Sequence, residues 1–373
     1  MRRSSAVWGD TPSGLGYSDM ALCHLISGEI ERRSHQNGSA GPYWVLDLGT
    51  FFGHSAFSVV YGAAAACKSP VIRVLSLDIF KQPRWLVENN PQVMKFVKEY
   101  GSTGPDAIGR RLDLACSRIG LANDPIQLME RDVLTMTGQD LLAIAPQGYK
   151  LVMVDCAKTP ELMNCITTFL TNPGVCGIGT IALFQDLFDW HAPWNVRALW
   201  RLLKEGVFSL CRGGKDVTPF AEKVADREVA TICDDIKDPL LAGETWSTPF
   251  TALDKEIEAL DYFIQMFRGW RYVHSALKLD CLKVGALLRA GRLDAAGAMI
   301  TKLDETWPAE FADYPLQNAY CRLLHLRTGH KDLSLVLDTA GRRSRNTFLA
   351  KQLRSVSGRL AYLSPIHTEP IAS

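Results

Sequence analysis

What this chain of 373 residues lacks narrows it first. No apolar run reaches about 18 residues, the length a membrane-spanning helix needs. No charge of either sign dominates. The formal net charge is +1, which gives little footing on a nucleic-acid backbone or an anionic membrane surface. The ten cysteines include no C-x-x-C pair, which argues against a zinc site and against a disulfide framework. Reduced cysteines in a cytoplasmic protein are the simplest reading. The basic stretch MRRSSAVWGDTPSG has no apolar segment of the kind a secretory leader carries. No Gly-x-Gly-x-x-Gly appears at a strand end, so the three-glycine seat for a dinucleotide pyrophosphate is missing and a nicotinamide-dependent oxidoreductase is disfavoured. The rest of the composition is ordinary: 47% hydrophobic and 22% charged, in a chain long enough for two domains.

What is there centres on residues 44–58, WVLDLGTFFGHSAFS. Trp44 to Leu48 has the length of a buried strand. It breaks at Gly49-Thr50-Phe51-Phe52-Gly53, and a helix rich in small residues follows from Ser55 through Ala66. Strand, glycine turn and helix together make the opening unit of a nucleotide-binding α/β sheet. Gly49 allows a tight turn with positive φ. Gly53 has no Cβ, so a ligand has room to approach its backbone, and the helix N-terminus faces the same crevice.

Further strand candidates follow at 71–78, 125–129, 149–155 and 179–186, separated by helical stretches at 106–119, 139–145 and 162–170. A helix is expected at 18–33, and an insertion at 81–104 carries a short helix near 93–100 and has the place of a lid. A helix at 193–203 precedes two β-like stretches, 207–211 and then either 217–220 or 230–232. Strand candidates end on Asp78, Asp155 and Asp186, and Asp47 lies within the first, so carboxylates line one edge of the sheet. Ligands of open α/β sheets bind outside the carboxyl ends of the strands. A carboxylate there can accept both hydroxyls of a ribose.

The Asp-x-Gly-x-x-x-Gly spacing resembles motif I of the class I S-adenosylmethionine-dependent methyltransferases. LGTFFGHSA is similar to the corresponding turn of the catechol O-methyltransferase-like O-methyltransferases. The resemblance covers about residues 18–235. It implies a Rossmann-like seven-stranded methyltransferase sheet with helices on both faces and an antiparallel last strand. It also implies S-adenosylmethionine held by Asp47, Gly49, Thr50, Phe51, Gly53, Ser55, Asp78, Asp132 and Asp155. Asp78 would take the ribose and Asp132 the adenine amino group. Asp155-Cys156-Ala157-Lys158 matches an Asp-x-x-Lys in which Asp binds Mg²⁺ and Lys is the general base. Asp186 matches a second metal ligand, but Leu187 stands where that family has Asn and offers no oxygen to a hard cation. Without a metal, His191 between Trp190 and Trp194 is the rival base. His54 is expected at the helix N-terminus near the methionine end of the cofactor and not as a base, and Phe51 and Phe52 divide between cation–π contact and core.

The expected organisation is a flexible lead-in at 1–16, a methyltransferase domain at 17–235, a linker at 236–250, an all-helical region at 251–363 and a disordered tail at 364–373. Within the helical region, 286–296 is similar to a tetratricopeptide turn and is echoed at 323–332, with a generic bundle as the equal alternative. The function implied is methyl transfer to a hydroxyl of a small molecule or sugar. The rival is a methyltransferase-like scaffold that binds partners without catalysis. A small-molecule acceptor is the expected partner, with no nucleic acid and no membrane. A homodimer or a protein partner would use the C-terminal helices.

Overall fold

The computed structural model describes residues 7–8, 17–36, 41–82, 87–88, 90–121, 124–156, 159–185, 187, 194–211, 219–227, 229, 253–289 and 292–306. The chain divides into two compact units, Met1–Leu187 with Arg201–Cys233, and Phe188–Trp200 with Asp234–Ser373. Among the described residues no helix is long and apolar enough to cross a membrane.

The first unit is built on a seven-stranded sheet. Its strands are β1 (Tyr43–Leu48), β2 (Ile72–Asp78), β3 (Ile126–Glu130), β4 (Tyr149–Val154), β5 (Ile181–Phe184), β6 (Phe208–Cys211) and β7 (Phe220–Lys223). They lie in the order β3-β2-β1-β4-β5-β7-β6. The first five are parallel, and β7 runs antiparallel to both β5 and β6. The order reverses between β1 and β4, which is where an open α/β sheet leaves its ligand crevice. This is a Rossmann-like sheet with the seven strands and the antiparallel last strand that the resemblance implies. Central strands read as continuous apolar runs because both faces are covered; Val45, Leu46, Leu48, Leu151, Val152 and Met153 have no exposed surface.

Helices α1 (Tyr17–Gln36), α2 (His54–Ala66), α3 (Pro91–Tyr100) and α4 (Pro105–Arg118) contribute to one large core with β1, β2 and β4. Helices α5 (Gly138–Ile144) and α6 (Pro160–Thr171) complete the alternation, and α7 (Trp194–Lys204) follows β5. The starts of these helices are written locally. Asn90 accepts from Gln92 and Val93 N–H with Pro91 at the first turn, Thr137 and Asp140 form a reciprocal capping box, and Thr159 caps α6 ahead of Pro160.

The tightest helix crossing in this unit joins α1 to α2. A Cβ on Gly62 would come within 2.6 Å of both the Cα and the carbonyl oxygen of His24, and nearer still to Ser27 Oγ. A Cβ on Gly28 would stand 3.2 Å from Gly62 O. Two glycines facing each other let the backbones meet, at the entropic cost a mid-helix glycine carries.

Two expectations need correction. The second strand of the hairpin is Phe220–Lys223, which starts at the last residue of the first stretch the pattern offered and runs on beyond it. Lys223 is fully buried, and its ammonium donates to Cys176 O at 2.6 Å and Thr171 O at 3.1 Å and pairs with Asp226. A lysine inside a strand hides the alternation that a strand is recognised by. The lead-in is not flexible throughout: Trp8 is 1% exposed. Its ring stacks on His54, with centroids 4.7 Å apart and an interplanar angle of 4°. The Arg111 guanidinium lies 4.6 Å from the Trp8 centroid and donates to the carbonyls of Val7 and Trp8.

In the second unit, helices α8 (Leu253–Gly269), α9 (Val273–Arg289) and α10 (Leu293–Thr306) follow one another along the chain. Phe263, Phe267, Trp270 and Tyr272 form an aromatic cluster on α8 and the turn after it. Buried Asp280 pairs with Arg268 at 2.6 Å, and Lys283 pairs with Asp261 across α8 and α9. Residues 290 and 291 of the 286–296 pattern lie outside the described residues. The echo at 323–332 and the tail at 364–373 lie outside the described residues, as do the linker residues 236–250.

The α1–α2 crossing predicts that Gly62→Ala forces the helices apart and costs about 1–3 kcal/mol, the range for overpacking a core. Urea denaturation should show a lower midpoint at unchanged slope. An unchanged midpoint would mean that the crossing adapts without strain.

Candidate functional site

The carboxyl edge of the sheet at β1, β2 and β4 collects the motif residues. Asp47 and Ser76 are register partners on adjacent parallel strands. Both are fully buried. Ser76 Oγ donates to Asp47 Oδ2 at 2.6 Å, and Ser55 Oγ, from the first turn of α2, donates to the same oxygen at 3.0 Å. Thr50 Oγ1 lies 2.6 Å from Ser76 Oγ, so turn, two strands and helix are joined by one chain of hydrogen bonds. Asp47 Oδ1 has no hydrogen-bond partner among the described residues.

Burial pushes the Asp47 carboxyl up from the ordinary 3.8 to about 6; the two serine hydrogen bonds oppose this, and the nearby charge of Asp78 adds to it. The group therefore sits at the edge of ionisation near neutral pH.

Gly49 turns at φ 99, and its N–H donates to Leu77 O at 3.0 Å. A Cβ there would stand 3.0 Å from the Asp155 carbonyl carbon and the Cys156 nitrogen. Gly49 is thus required by the close passage of the turn under the end of β4. Phe51 also has positive φ, at 50, and its N–H donates to Asp78 Oδ2 at 2.9 Å. Phe80 N–H donates to Asp78 Oδ1 at 2.8 Å. Half-buried Asp78 is therefore held by two backbone donors, one on each oxygen, and each oxygen retains a lone pair.

Gly53 starts α2 at φ 84 with no side-chain cap on the helix. The space left by its missing Cβ is taken by Leu112 of α4, whose Cδ1 would lie 3.1 Å away. That opening serves helix packing, not ligand approach. Phe52 is core, buried edge-on against Phe96, whereas Phe51 is half-buried. His54 is buried on Trp8; burial first, then the charges of His24 and Arg111, lower its pKa to about 4, so it is a neutral ring at pH 7.

Farther along the edge, Asp132 is exposed and caps the short turn Val133–Thr135 by accepting from Leu134 N–H at 3.0 Å. Half-buried Asp155 follows β4, its N–H donating to Leu48 O at 2.9 Å. Lys158, Asp186 and His191 lie outside the described residues. The structure therefore brings Asp47, Thr50, Ser55 and Asp78 together and sets Asp155 beside Gly49. It says nothing of either base candidate.

Ser76, Trp8 and Arg111 are participants that the motif reading passed over. Ser76 left a signal, a hydroxyl in the middle of the apolar run Ile72–Asp78 and two residues before the strand-end acid. Trp8 and Arg111 left none, because neither has a neighbour in sequence that reveals the other.

The strand ends do not make a magnesium cage among the described residues. Leu187, at the position where an amide ligand is expected, is fully buried. The single cluster of three or more metal-ligating groups among the described residues lies elsewhere. No step is assigned to Mg²⁺.

No protein-family model and no curated protein matches the chain. Among solved structures, the chain is similar to the calicheamicin methyltransferase CalS11, at 17% identity over 59% of this chain and 90% of that one, with a TM-score of 0.38. It is similar to the O-methyltransferase NovP at 13% identity over 54% of this chain and 79% of that one, with a TM-score of 0.35. A third is the magnesium protoporphyrin IX methyltransferase of Synechocystis PCC 6803, at 14% identity over 60% of this chain and 90% of that one, with a TM-score of 0.29.

The buried carboxyl gives a pH signature. Because the folded-state pKa of Asp47 is raised, its stabilising contribution is fully present below about pH 4 and is lost as pH rises to about 6. Asp47→Asn mimics the protonated form. Its stability relative to the unsubstituted protein should therefore rise between pH 5 and pH 7.5, by on the order of 1–3 kcal/mol. Paired thermal melts across that range check it, and a difference independent of pH would rule out a raised pKa.

Proposed function

We propose that the protein is an S-adenosylmethionine-dependent methyltransferase acting on a hydroxyl of a small molecule or sugar. The observation that carries this reading is the sign of charge at the crevice. A pyrophosphate-binding turn favours its anionic ligand with a helix N-terminus and keeps its acid for the ribose. Here the turn rests on the buried carboxyl of Asp47, and Asp78 stands immediately beside it. An acid under the turn itself disfavours a phosphate there and suits a ligand with a ribose diol and positive charge. S-adenosylmethionine has both, in its sulfonium and its ammonium.

Asp78 would accept the two ribose hydroxyls with the lone pairs left by Phe51 and Phe80 N–H. Asp47 is sealed from solvent, so it acts on a ligand through its field and through the turn it braces, without direct contact. Phe51, held at positive φ by Asp78, offers a ring near the cation. When bound, S-adenosylmethionine supplies an electrophilic methyl group, so the chain has to align the acceptor and remove one proton. Lys158 and His191 are the candidates for that proton by their place in the sequence. His54 is excluded, because its ring is buried against Trp8.

Isothermal titration calorimetry with S-adenosylmethionine and with NAD⁺ tests the reading. Binding of the first and none of the second is expected. Asp78→Ala should weaken S-adenosylmethionine about ten- to hundredfold, as loss of hydrogen bonds to a charged group would. No heat at millimolar S-adenosylmethionine, or an Asp78→Ala affinity equal to that of the unsubstituted protein, would overturn the assignment.

A further inference from the structure

At the opposite end of the strands, away from the glycine turn, three donors of different chemistry converge. Glu31 and His35 are one helical turn apart near the end of α1, a spacing that puts both on one face. Cys67 is the residue that ends α2. The close crossing at Gly28 and Gly62 brings the two helices near enough for these ends to meet. His35 Nε2 lies 2.9 Å from Glu31 Oε1 and 3.1 Å from Cys67 Sγ. The donor atoms of all three lie within 4.8 Å of one another.

Glu31 is 0% exposed, which is costly for a carboxylate unless it is compensated. Its Oε1 takes two contacts, Val71 N–H at 2.9 Å and His35. Its Oε2 has no hydrogen-bond partner among the described residues. The Tyr43 hydroxyl also interacts with this carboxylate, besides donating to Ser27 O at 3.3 Å. His35 is exposed and Cys67 half-buried, so an ion has a path in.

We infer that Glu31, His35 and Cys67 bind a zinc ion, with a water in the fourth position, and clasp the ends of α1 and α2 to the start of β2. In a tetrahedral zinc site, bonds of about 2.3 Å to sulfur and 2.0 Å to nitrogen hold neighbouring donors roughly 3.5 Å apart. The two separations from His35 fall short of this by about half an ångström and the third is at most 4.8 Å, a spread that side-chain torsions can even out. One thiolate, one carboxylate, a neutral imidazole and Zn²⁺ sum to zero charge, which offsets the buried Glu31. The mixed oxygen, nitrogen and sulfur set excludes Mg²⁺ and Ca²⁺, which take oxygen ligands. No C-x-x-C spacing is involved, because a helix turn supplies two donors and a distant helix end the third.

The test is a cobalt(II) titration of the full chain after chelator treatment and its removal. One equivalent of Co²⁺ should produce a thiolate-to-cobalt charge-transfer band, and one equivalent of Zn²⁺ should abolish it. Cys67→Ser should lose the band, and His35→Ala should bind Co²⁺ at least tenfold more weakly, each with unchanged far-ultraviolet circular dichroism. No band in the unsubstituted protein, or a band undiminished in Cys67→Ser, would overturn the site. X-ray absorption at the zinc edge on the unsubstituted protein with one equivalent of Zn²⁺ decides the matter without variants. One sulfur among nitrogen and oxygen neighbours is expected, and a shell without sulfur refutes the assignment.

Discussion

A carboxyl group with no water around it must be held by something, and Asp47 is held by Ser55 from α2 and Ser76 from β2 while Thr50 closes the chain. The bonds fix the turn from below. They couple the direction in which α2 leaves the sheet to the register of β1 on β2. Gly49 fixes the turn from the other side, since only a residue without a Cβ passes the Asp155–Cys156 backbone at that distance. Once both constraints are satisfied, Phe51 has its N–H aimed at Asp78, and the strand-end carboxylate becomes a rigid acceptor, not a mobile side chain.

Much of this was legible in the chain. Parallel strands buried on both faces announce themselves as apolar runs, so β1 to β5 were recognisable to within a few residues. The antiparallel last strand followed from the family resemblance, and the acids at the strand ends followed from the runs. Roles within the motif were harder. Gly49 and Gly53 look alike in sequence, but one clears a neighbouring strand and the other clears Leu112. The difference lies in what approaches from elsewhere in the chain, and no local pattern encodes that. The extent of the strand Phe220–Lys223 was missed for a related reason. Its buried lysine is satisfied by carbonyls of Thr171 and Cys176, some fifty residues upstream.

The two ends of the sheet solve the problem of buried acid differently. At the carboxyl edge, Asp47 is tolerated through hydroxyl donors and a raised pKa. At the other edge, Glu31 has a backbone N–H and a histidine, with a cysteine in reach of the same ring. The first arrangement keeps its charge adjustable with pH. The second gathers donors that differ in softness, which is the condition for selecting a transition metal over the abundant hard cations.

Trp8 has a consequence for how the molecule is made. Its carbonyl is held by Arg111, 103 residues further along the chain. At about 5–20 residues per second, the ribosome takes roughly 5–20 s to supply that partner. For that interval a large indole has no place to go, and it is available to chaperones or to other nascent chains. Trp8 is thus secured only once α4 is made, and the seal over the start of α2 closes only after α4 has emerged.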